Sequence, residues 1–130
     1  MADNIARGTK NREWGAIAEQ IAAEYLISEG YVIRERNWRI GNHIEIDIIA
    51  ERDGYIAFVE VKARRGNVVT AEDAVDKKKI KKMVTGGNAY LRTLPHLFKY
   101  RLDVITVTGD PENYSVRHLP DAFLPPLSSS

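Results

Sequence analysis

Two strand-like stretches separated by an Asp-Gly pair constrain the fold of this chain more than any other feature. Ile44–Ala50 begins as an alternation of apolar and acidic residues, and Tyr55–Ala63 is apolar at most positions on both faces. Asp53-Gly54 between them is a pair that two-residue hairpin turns favour. The sequence therefore predicts an antiparallel hairpin whose second strand lies in the centre of a sheet.

The rest of the chain predicts two helices and three further strands. Apolar residues recur at helical spacing from Glu13 to Glu29. The other predicted elements are a strand over Tyr31–Trp38, a helix over Ala71–Leu91, and strands over Leu102–Val107 and Tyr114–His118. This order predicts an α/β fold, with a mixed sheet of about five strands flanked by helices. We expect one domain over residues 1–130, with flexible tails at 1–12 and 119–130.

The composition narrows the class of protein. The chain has 130 residues, the length of one domain, and it has no cysteine, which excludes disulfides, thiolate zinc sites and cysteine nucleophiles. No apolar run approaches the roughly 20 residues that cross a bilayer. Met1–Lys10 lacks the apolar core of a secretory signal. We therefore expect a cytoplasmic protein without a membrane partner.

The positive charge is concentrated in one segment. The formal net charge is only +1, but Val61–Thr85 holds eight basic and three acidic residues. A nearly neutral chain with one basic segment indicates a localised anionic partner, and nucleic acid is the first candidate. The basic residues that we expect to contact nucleic acid are Arg64, Arg65, Lys77, Lys78, Lys79 and Lys82.

The Asp-Gly turn also fixes a register for the hairpin. With Asp53-Gly54 as the two central turn residues, Asp47 lies opposite Glu60 and Glu45 lies opposite Lys62. All four side chains are then expected on one face, and the isoleucines at positions 44, 46 and 48 on the other. Opposed residues have Cβ atoms roughly 5 Å apart, at which two carboxylates repel by about 3 kcal/mol.

Three arrangements offset such repulsion: a proton on one acid, neutralisation by Lys62, or a divalent cation between the acids. Mg²⁺ and Mn²⁺ take carboxylate oxygens together with waters and substrate phosphate. Lys62 beside such a cation could orient a water or neutralise charge on a phosphate. The alternative is a solvated face on which Glu45 and Lys62 form a plain ion pair. Glu60 and Lys62 lie in the most apolar strand, where charged residues are rarely buried without a function, and this favours one of the three arrangements over a solvated face.

A third carboxylate could come from the first helix. Glu19 and Glu24 both border its apolar stripe, so helical spacing does not choose between them. Either glutamate could equally be a solvated surface residue.

The acidic and basic positions together resemble a known family. The segments "EIDIIA" and "FVEVKAR", which hold Asp47, Glu60 and Lys62, resemble the YraN-like bacterial proteins of the PD-(D/E)XK nuclease superfamily, relatives of archaeal Holliday-junction resolvases. The likeness runs from Trp14 to Val107. Further matching segments are Asn37-Trp38-Arg39, Lys79 ahead of Tyr90-Leu91, and Arg101-Leu102-Asp103-Val104. The chain departs from the family in having Ala18 and Ile44 where glycine is common.

This resemblance implies a restriction-endonuclease-like fold and a specific set of site residues. Glu19, Asp47 and Glu60 would hold Mg²⁺ or Mn²⁺, Lys62 would be the catalytic lysine, and Glu45 would support them. The implied activity is hydrolysis of DNA phosphodiester bonds, with branched structures among the substrates, in recombination or repair. Junction-cutting relatives are dimers, so the resemblance also allows a homodimer.

Two other functions stay open at this point. The chain could be a nucleic-acid-binding module of the same fold without turnover, or an unrelated α/β domain whose acids bind a metal only for stability. Among the remaining polar residues, His43, His96 and His118 lack metal-ligand spacing and are expected at the surface. Asp103 is expected to be a structural partner of Arg101.

Overall fold

The structure of the chain is a computed structural model that describes residues 2–65 and 77–122, with side chains from Arg12 onward. It contains two helices and five strands, as the sequence predicts. In chain order the elements are α1 (Ala2–Ser28), β1 (Val32–Ile40), β2 (Ile44–Arg52), β3 (Tyr55–Arg64), α2 (Lys77–Leu91), β4 (Lys99–Asp110) and β5 (Asn113–Leu119).

All five strands form one mixed sheet in the order β1-β2-β3-β4-β5. Neighbouring strands are antiparallel except β3 and β4, which run parallel from Tyr55–Lys99 to Arg64–Thr108. A parallel pair requires a crossover connection, and α2 lies in that connection. The central position of β3 confirms the prediction made from its apolar sequence.

The hairpin turn sets the predicted register. Asp53 and Gly54 both have positive φ angles, 53° and 81°, as a type I′ turn requires. Arg52 pairs with Tyr55, and the ladder continues to the pair of Ile48 and Val59. The prediction that this turn aligns β2 with β3 is therefore confirmed over that range.

Each face of the sheet is covered by one helix. On one face, α1 packs Trp14 and Leu26 against a core that includes Val59 and Ile105. On the other face, Met83 and Tyr90 of α2 pack against a second core. The members of this second core on the sheet are Ile46, Ile49, Ile56, Phe58 and Leu102. We call the two sides of the sheet the α1 face and the α2 face.

Two adjacent glycines bring α2 unusually close to the sheet. A Cβ atom on Gly86 would lie 2.9 Å from Ile44, and one on Gly87 would lie 2.9 Å from Phe58. Both distances are shorter than side chains tolerate, so hydrogen at these positions permits the close packing. The same helix carries Lys79 two turns earlier, so this packing sets how deeply Lys79 reaches the sheet.

Several predicted boundaries need correction. The first helix begins at Ala2 rather than Glu13, so most of the polar segment predicted as a tail is helical. Strand β4 runs from Lys99 to Asp110, three residues longer at each end than the predicted strand over Leu102–Val107. The start of the predicted second helix (71–76) and residues 123–130 of the predicted tail lie outside the described residues.

Within residues 2–65 and 77–122, no helix combines the length and the apolar character needed to cross a bilayer.

Candidate active site

The candidate site forms where β2 separates from β3. The hydrogen-bonded ladder between the two strands ends at the pair of Ile48 and Val59. Beyond it, the side chain of Asp47, and not its backbone, bonds to β3. Asp47 Oδ2 accepts a hydrogen bond of 2.8 Å from the backbone N–H of Val61. The acid is thereby fixed to the edge of β3 by a bond that a strand carbonyl would otherwise accept.

Glu60 lies beside Asp47 on the α2 face. It pairs along the sheet with Val104, whose side chain packs against Ile80 of α2. Asp47 is 8% exposed and Glu60 is 5% exposed. The structure therefore brings together the two acids that the hairpin register places opposite one another, and it buries both.

Burial and repulsion make Asp47 an unusual acid. Burial raises the pKa of Asp47 to about 7, and the negative charge of Glu60 contributes to the same shift. The Val61 hydrogen bond and the positive charge of Lys79 oppose that shift but do not cancel it. Near neutral pH the pair can therefore share a proton or, in its place, accept a cation.

Two lysines approach Glu60 from different elements. Lys62 Nζ lies 3.9 Å from Glu60 Oε1, and Lys79 Nζ lies 3.2 Å from Oε2. Lys62 follows Glu60 on β3, whereas Lys79 reaches it from α2. Lys79 was predicted only as a nucleic-acid contact, and the structure places it beside the acid pair.

Two buried polar atoms on this face have no hydrogen bond within the described part of the chain. They are Glu60 Oε2, which has only the ion pair with Lys79, and Thr106 Oγ1. Thr106 pairs with Lys62 along β3 and β4, so both atoms belong to the same region of the α2 face. Buried polar atoms usually have partners, so two such atoms in one region make this part of the α2 face unusual.

The predicted Glu45–Lys62 pairing is not formed. The ladder between β2 and β3 ends before these residues, and Glu45 instead forms an ion pair with Arg39 of β1, at 2.8 Å. The prediction that the isoleucines at 44, 46 and 48 share a face is also wrong: Ile46 packs in the α2 core and Ile48 in the α1 core.

A residue with a left-handed backbone in β1 lies beside this change of face. Asn37 has a φ of 51°, in the left-handed region, and lies between the β1–β2 pairs that hold Ile46 and Ile48. Asparagine tolerates this conformation better than most residues. The strict alternation expected of a strand is therefore broken next to Asp47.

Glu19 faces the site but does not join the acid pair. Its Oε1 accepts a hydrogen bond of 2.9 Å from Asn37 Nδ2. Burial raises the pKa of Glu19, and the negative charges of Asp47 and Glu45 add to the rise, so the three acids share one region. Glu24 is exposed. Helical spacing left both glutamates open, and the contact with Asn37 distinguishes Glu19.

The other predicted basic contacts lie on α2 and at the end of β3. Lys77, Lys78 and Lys82 are exposed on α2. Arg64 ends β3 and is half-buried, and Arg65 after it is exposed. These residues lie on the two segments that also carry Lys62 and Lys79.

Sequence reasoning missed a second polar cluster, on the α1 face. Asp103 is fully buried and contacts both Arg101, as predicted, and His118, whose Nε2 lies 2.8 Å away. The expectation that His118 lies at the surface is wrong, because only 10% of its side chain is exposed. The available signal was Asp103 itself, since an acid within an apolar strand needs buried partners.

The donor set of the α2 face fits a hard divalent cation. Mg²⁺ uses one or two protein carboxylates with waters and phosphate, and Asp47 and Glu60 supply two carboxylates, one with an oxygen that lacks a hydrogen bond. However, no three His, Cys, Asp or Glu side chains of the described residues lie close enough to hold a metal ion. Glu19 thus remains outside a two-acid site.

Comparison with known proteins gives one family. Residues 18–107 match the model of uncharacterised protein family UPF0102. A UPF0102 protein of Bacteroides thetaiotaomicron is 40% identical over 91% of this chain and 98% of its own length. Similar proteins occur in Phocaeicola vulgatus, 39% identical over 91% and 98%, and Syntrophomonas wolfei, 36% identical over 87% and 99%. The chain belongs to the UPF0102 (YraN) family, as its acidic and lysine motifs indicate.

Proposed function

We propose that this protein is a metal-dependent endonuclease that hydrolyses phosphodiester bonds in DNA, with branched DNA among its substrates. One observation carries the proposal: two buried acids, Asp47 and Glu60, lie side by side, and both Lys62 and Lys79 form ion pairs with Glu60. A purely structural acid pair would not need two ammonium groups and would not leave a buried oxygen without a hydrogen bond.

Asp47 and Glu60 would hold the cation, Mg²⁺ or Mn²⁺. When bound, the cation would polarise the phosphate and lower the pKa of a water. The remaining groups act through charge and position. Lys62 lies next to Glu60 and is about a quarter exposed, so its ammonium group can contact a phosphate oxygen of the substrate. There it would offset the negative charge that develops during hydrolysis.

The surrounding residues hold the acids in place. The Val61 N–H fixes Asp47, Arg39 holds Glu45, and Asn37 holds Glu19 at the border of the site. Such outer contacts keep carboxylates oriented before substrate binds. The exposed lysines of α2 (Lys77, Lys78 and Lys82) and the arginines after β3 (Arg64 and Arg65) would contact DNA phosphates on either side of the cleaved bond.

One observation favours a second candidate, a nucleic-acid-binding module of the same fold without turnover. In the described part of the chain Glu19 does not join Asp47 and Glu60 in a three-acid cluster. A two-acid site binds Mg²⁺ weakly without substrate phosphate, so the difference between the candidates lies in cleavage, not in DNA affinity.

The test compares cleavage of four-way, nicked and linear DNA in Mg²⁺, Mn²⁺ or EDTA. We expect metal-dependent cleavage by the wild type, and at least about a 100-fold slower reaction for Glu60→Gln and Lys62→Ala. The matched controls are Glu35→Gln, an exposed acid of β1, and Lys99→Ala, an exposed lysine of β4. Both should cleave like the wild type.

Cleavage that persists at the wild-type rate in both site variants would refute the proposal and indicate a contaminating nuclease. Salt-sensitive DNA binding with no metal-dependent cleavage on any of the three substrates would establish the binding module instead. Absence of DNA binding as well would leave the acids as a structural metal site.

A further inference from the structure

A cavity of about 310 Å³ opens on the α1 face, on the opposite side of the sheet from Asp47 and Glu60. The residues of its wall that matter here are Tyr25, Glu29, Tyr31, Arg52, Arg101 and His118. Asp103, which holds two of them, pairs with Val59 of the α1 core, whereas the next pair along β3 and β4 begins with Glu60. Since side chains alternate along a strand, the cavity and the acid pair are separate sites.

A buried acid fixes part of this cavity wall. Asp103 is 0% exposed and accepts hydrogen bonds of 3.2 and 2.9 Å from Arg101 and of 2.9 Å from the backbone N–H of Asp121. His118 Nε2 lies 2.8 Å from Asp103 Oδ2. Arg101 and His118 are therefore held rigidly at the cavity, and rigid polar groups at a cavity are a feature of built binding sites.

The wall is made of flat groups. The guanidinium carbon of Arg52 lies 4.5 Å from the ring centroid of Tyr31, and that of Arg101 lies 5.8 Å from the same ring. The Tyr25 and His118 rings meet edge to face, with centroids 5.5 Å apart. Three aromatic rings and two guanidinium planes therefore surround the space, which suits a planar ligand.

The charges of the wall argue against a bare anion. Both arginines already have acidic partners, Asp103 for Arg101 and Asp53 for Arg52, and Glu29 adds a further acid to the wall. Guanidinium groups and the Tyr31 hydroxyl can donate hydrogen bonds, and Glu29 can accept them. A neutral flat molecule with both donors and acceptors at its edge fits this set, and nucleobases have that chemistry.

We propose that this cavity binds a nucleobase, supplied by a free nucleoside or by a base turned out of a single strand. Its volume lies at the small end of ligand pockets, as one base requires. The base would stack on the plane of Arg52 and place its edge against Arg101 and Glu29. This inference does not depend on the proposed nuclease activity, because none of these residues touches the acid pair.

The test is a titration of the metal-free protein, in EDTA, with guanosine, adenosine, cytidine, thymidine, a hexamer of single-stranded DNA and inorganic phosphate. Calorimetry and protein NMR would follow it. We expect saturable nucleoside binding that shifts the signals of Tyr25, Tyr31 and His118. Arg52→Ala should weaken it roughly 5- to 150-fold, the range for loss of one stacking partner. Glu29→Gln should weaken guanosine binding roughly tenfold.

Each variant has a matched control outside the cavity. Arg34 on β1 also lies over a tyrosine ring, that of Tyr90, but it does not line the cavity. Arg34→Ala should therefore leave nucleoside binding unchanged. Glu24→Gln serves the same purpose for the acid on α1. Arg52 also donates to the Glu29 carbonyl, so thermal unfolding must show that Arg52→Ala is folded. Glu29→Gln removes no side-chain hydrogen bond seen among the described residues, and so it tests the proposal even if Arg52→Ala unfolds.

Tighter binding of the hexamer than of any nucleoside, lost in the same variants, would identify the strand as the source of the base. Equal binding would identify the free nucleoside, and both results support the proposal. Absence of saturable nucleoside and hexamer binding would overturn it. So would nucleoside binding that Arg52→Ala and Glu29→Gln leave unchanged, or phosphate binding as tight as guanosine binding.

Discussion

Two buried acids on neighbouring strands, Asp103 of β4 and Glu60 of β3, are treated in opposite ways by the fold. Asp103 on the α1 face has contacts from Arg101, His118 and a backbone N–H on both of its oxygens. Glu60 on the α2 face lies beside a second acid, Asp47, and among the described residues one of its oxygens has no hydrogen bond. The protein therefore saturates one buried carboxylate and leaves its neighbour on the other face incompletely bonded.

The pKa shifts express the same difference. Burial favours the protonated form of Asp103, but the hydrogen bonds from His118, Arg101 and Asp121 outweigh burial and lower its pKa. For Asp47, burial and the charge of Glu60 prevail and raise the pKa to about 7. A carboxylate with all its partners stabilises the fold. A pair of acids that repel each other is instead stabilised when it binds a cation or a proton. The comparison thus separates a structural acid from acids available for a ligand.

The largest expected effect tests this separation directly. Asp103→Asn should lower the free energy of unfolding by about 3–5 kcal/mol, because it removes the fully buried charge that pairs with Arg101 and contacts His118. Glu60→Gln should change it by less than about 1 kcal/mol, because the variant relieves repulsion with Asp47 and its two lysines remain partly exposed. Urea unfolding in EDTA measures both. Similar losses in the two variants would show that the faces do not differ.

The next effect is a dependence of stability on pH. The pKa of an aspartate in an unfolded chain is about 3.9, and that of Asp47 in the folded protein is about 7. Between these two pH values the folded protein therefore keeps a proton that the unfolded chain has lost. Folding stability should therefore fall as pH rises through this window, by up to about 1.4 kcal/mol per pH unit. Asp47→Asn should flatten the slope in urea unfolding curves measured without metal.

Asp103 should act in the opposite direction at lower pH. Its folded pKa is lowered, so its contribution is fully present above the unfolded value and disappears as pH falls through the folded one. Wild-type stability should accordingly decline again in strong acid. A profile that instead rises steadily from pH 4 to pH 8, or that Asp47→Asn does not alter, would contradict the assignment of the two acids.

The smallest expected effect concerns the packing that supports the α2 face. Gly87→Ala places a methyl group 2.9 Å from the Phe58 ring, so α2 must move away from the sheet at a cost of about 1–3 kcal/mol. Gly15→Ala in α1 is the matched control: nothing lies within 4 Å, and it should stabilise the helix by roughly 0.5–1 kcal/mol. Equal effects of the two substitutions on unfolding would show that α2 is not closely packed.

Local sequence rules were sufficient for much of the fold and for the acid pair. The Asp53-Gly54 turn fixes the β2–β3 register, because two residues with positive φ permit only a short hairpin. From this turn alone, Asp47 and Glu60 are correctly placed together. Short apolar runs bounded by turn residues were enough to locate all five strands, with errors at their ends.

The errors arose from contacts between distant segments. Glu45 bonds to Arg39 because β2 leaves β3 at Asp47 but stays paired with β1, where Glu45 lies opposite Arg39, and no pattern within β2 reveals this. The contact of Lys79 with Glu60 depends on the close packing of α2, which Gly86 and Gly87 permit and which helical spacing does not reveal. His118 is buried because β5 pairs it with Ile105, two residues along β4 from Asp103 on the same face, and an isolated histidine gives no sign of that partner.

The hairpin turn has a consequence for how this sequence can change. Asp53 and Gly54 are each six residues from the acid on their own strand, a distance of about 20 Å. Inserting a single residue there would slide one strand past the other and point one carboxylate into the opposite core. Lengthening a solvent-exposed loop is ordinarily harmless, but in this chain it would dismantle the acid pair without altering any residue near it.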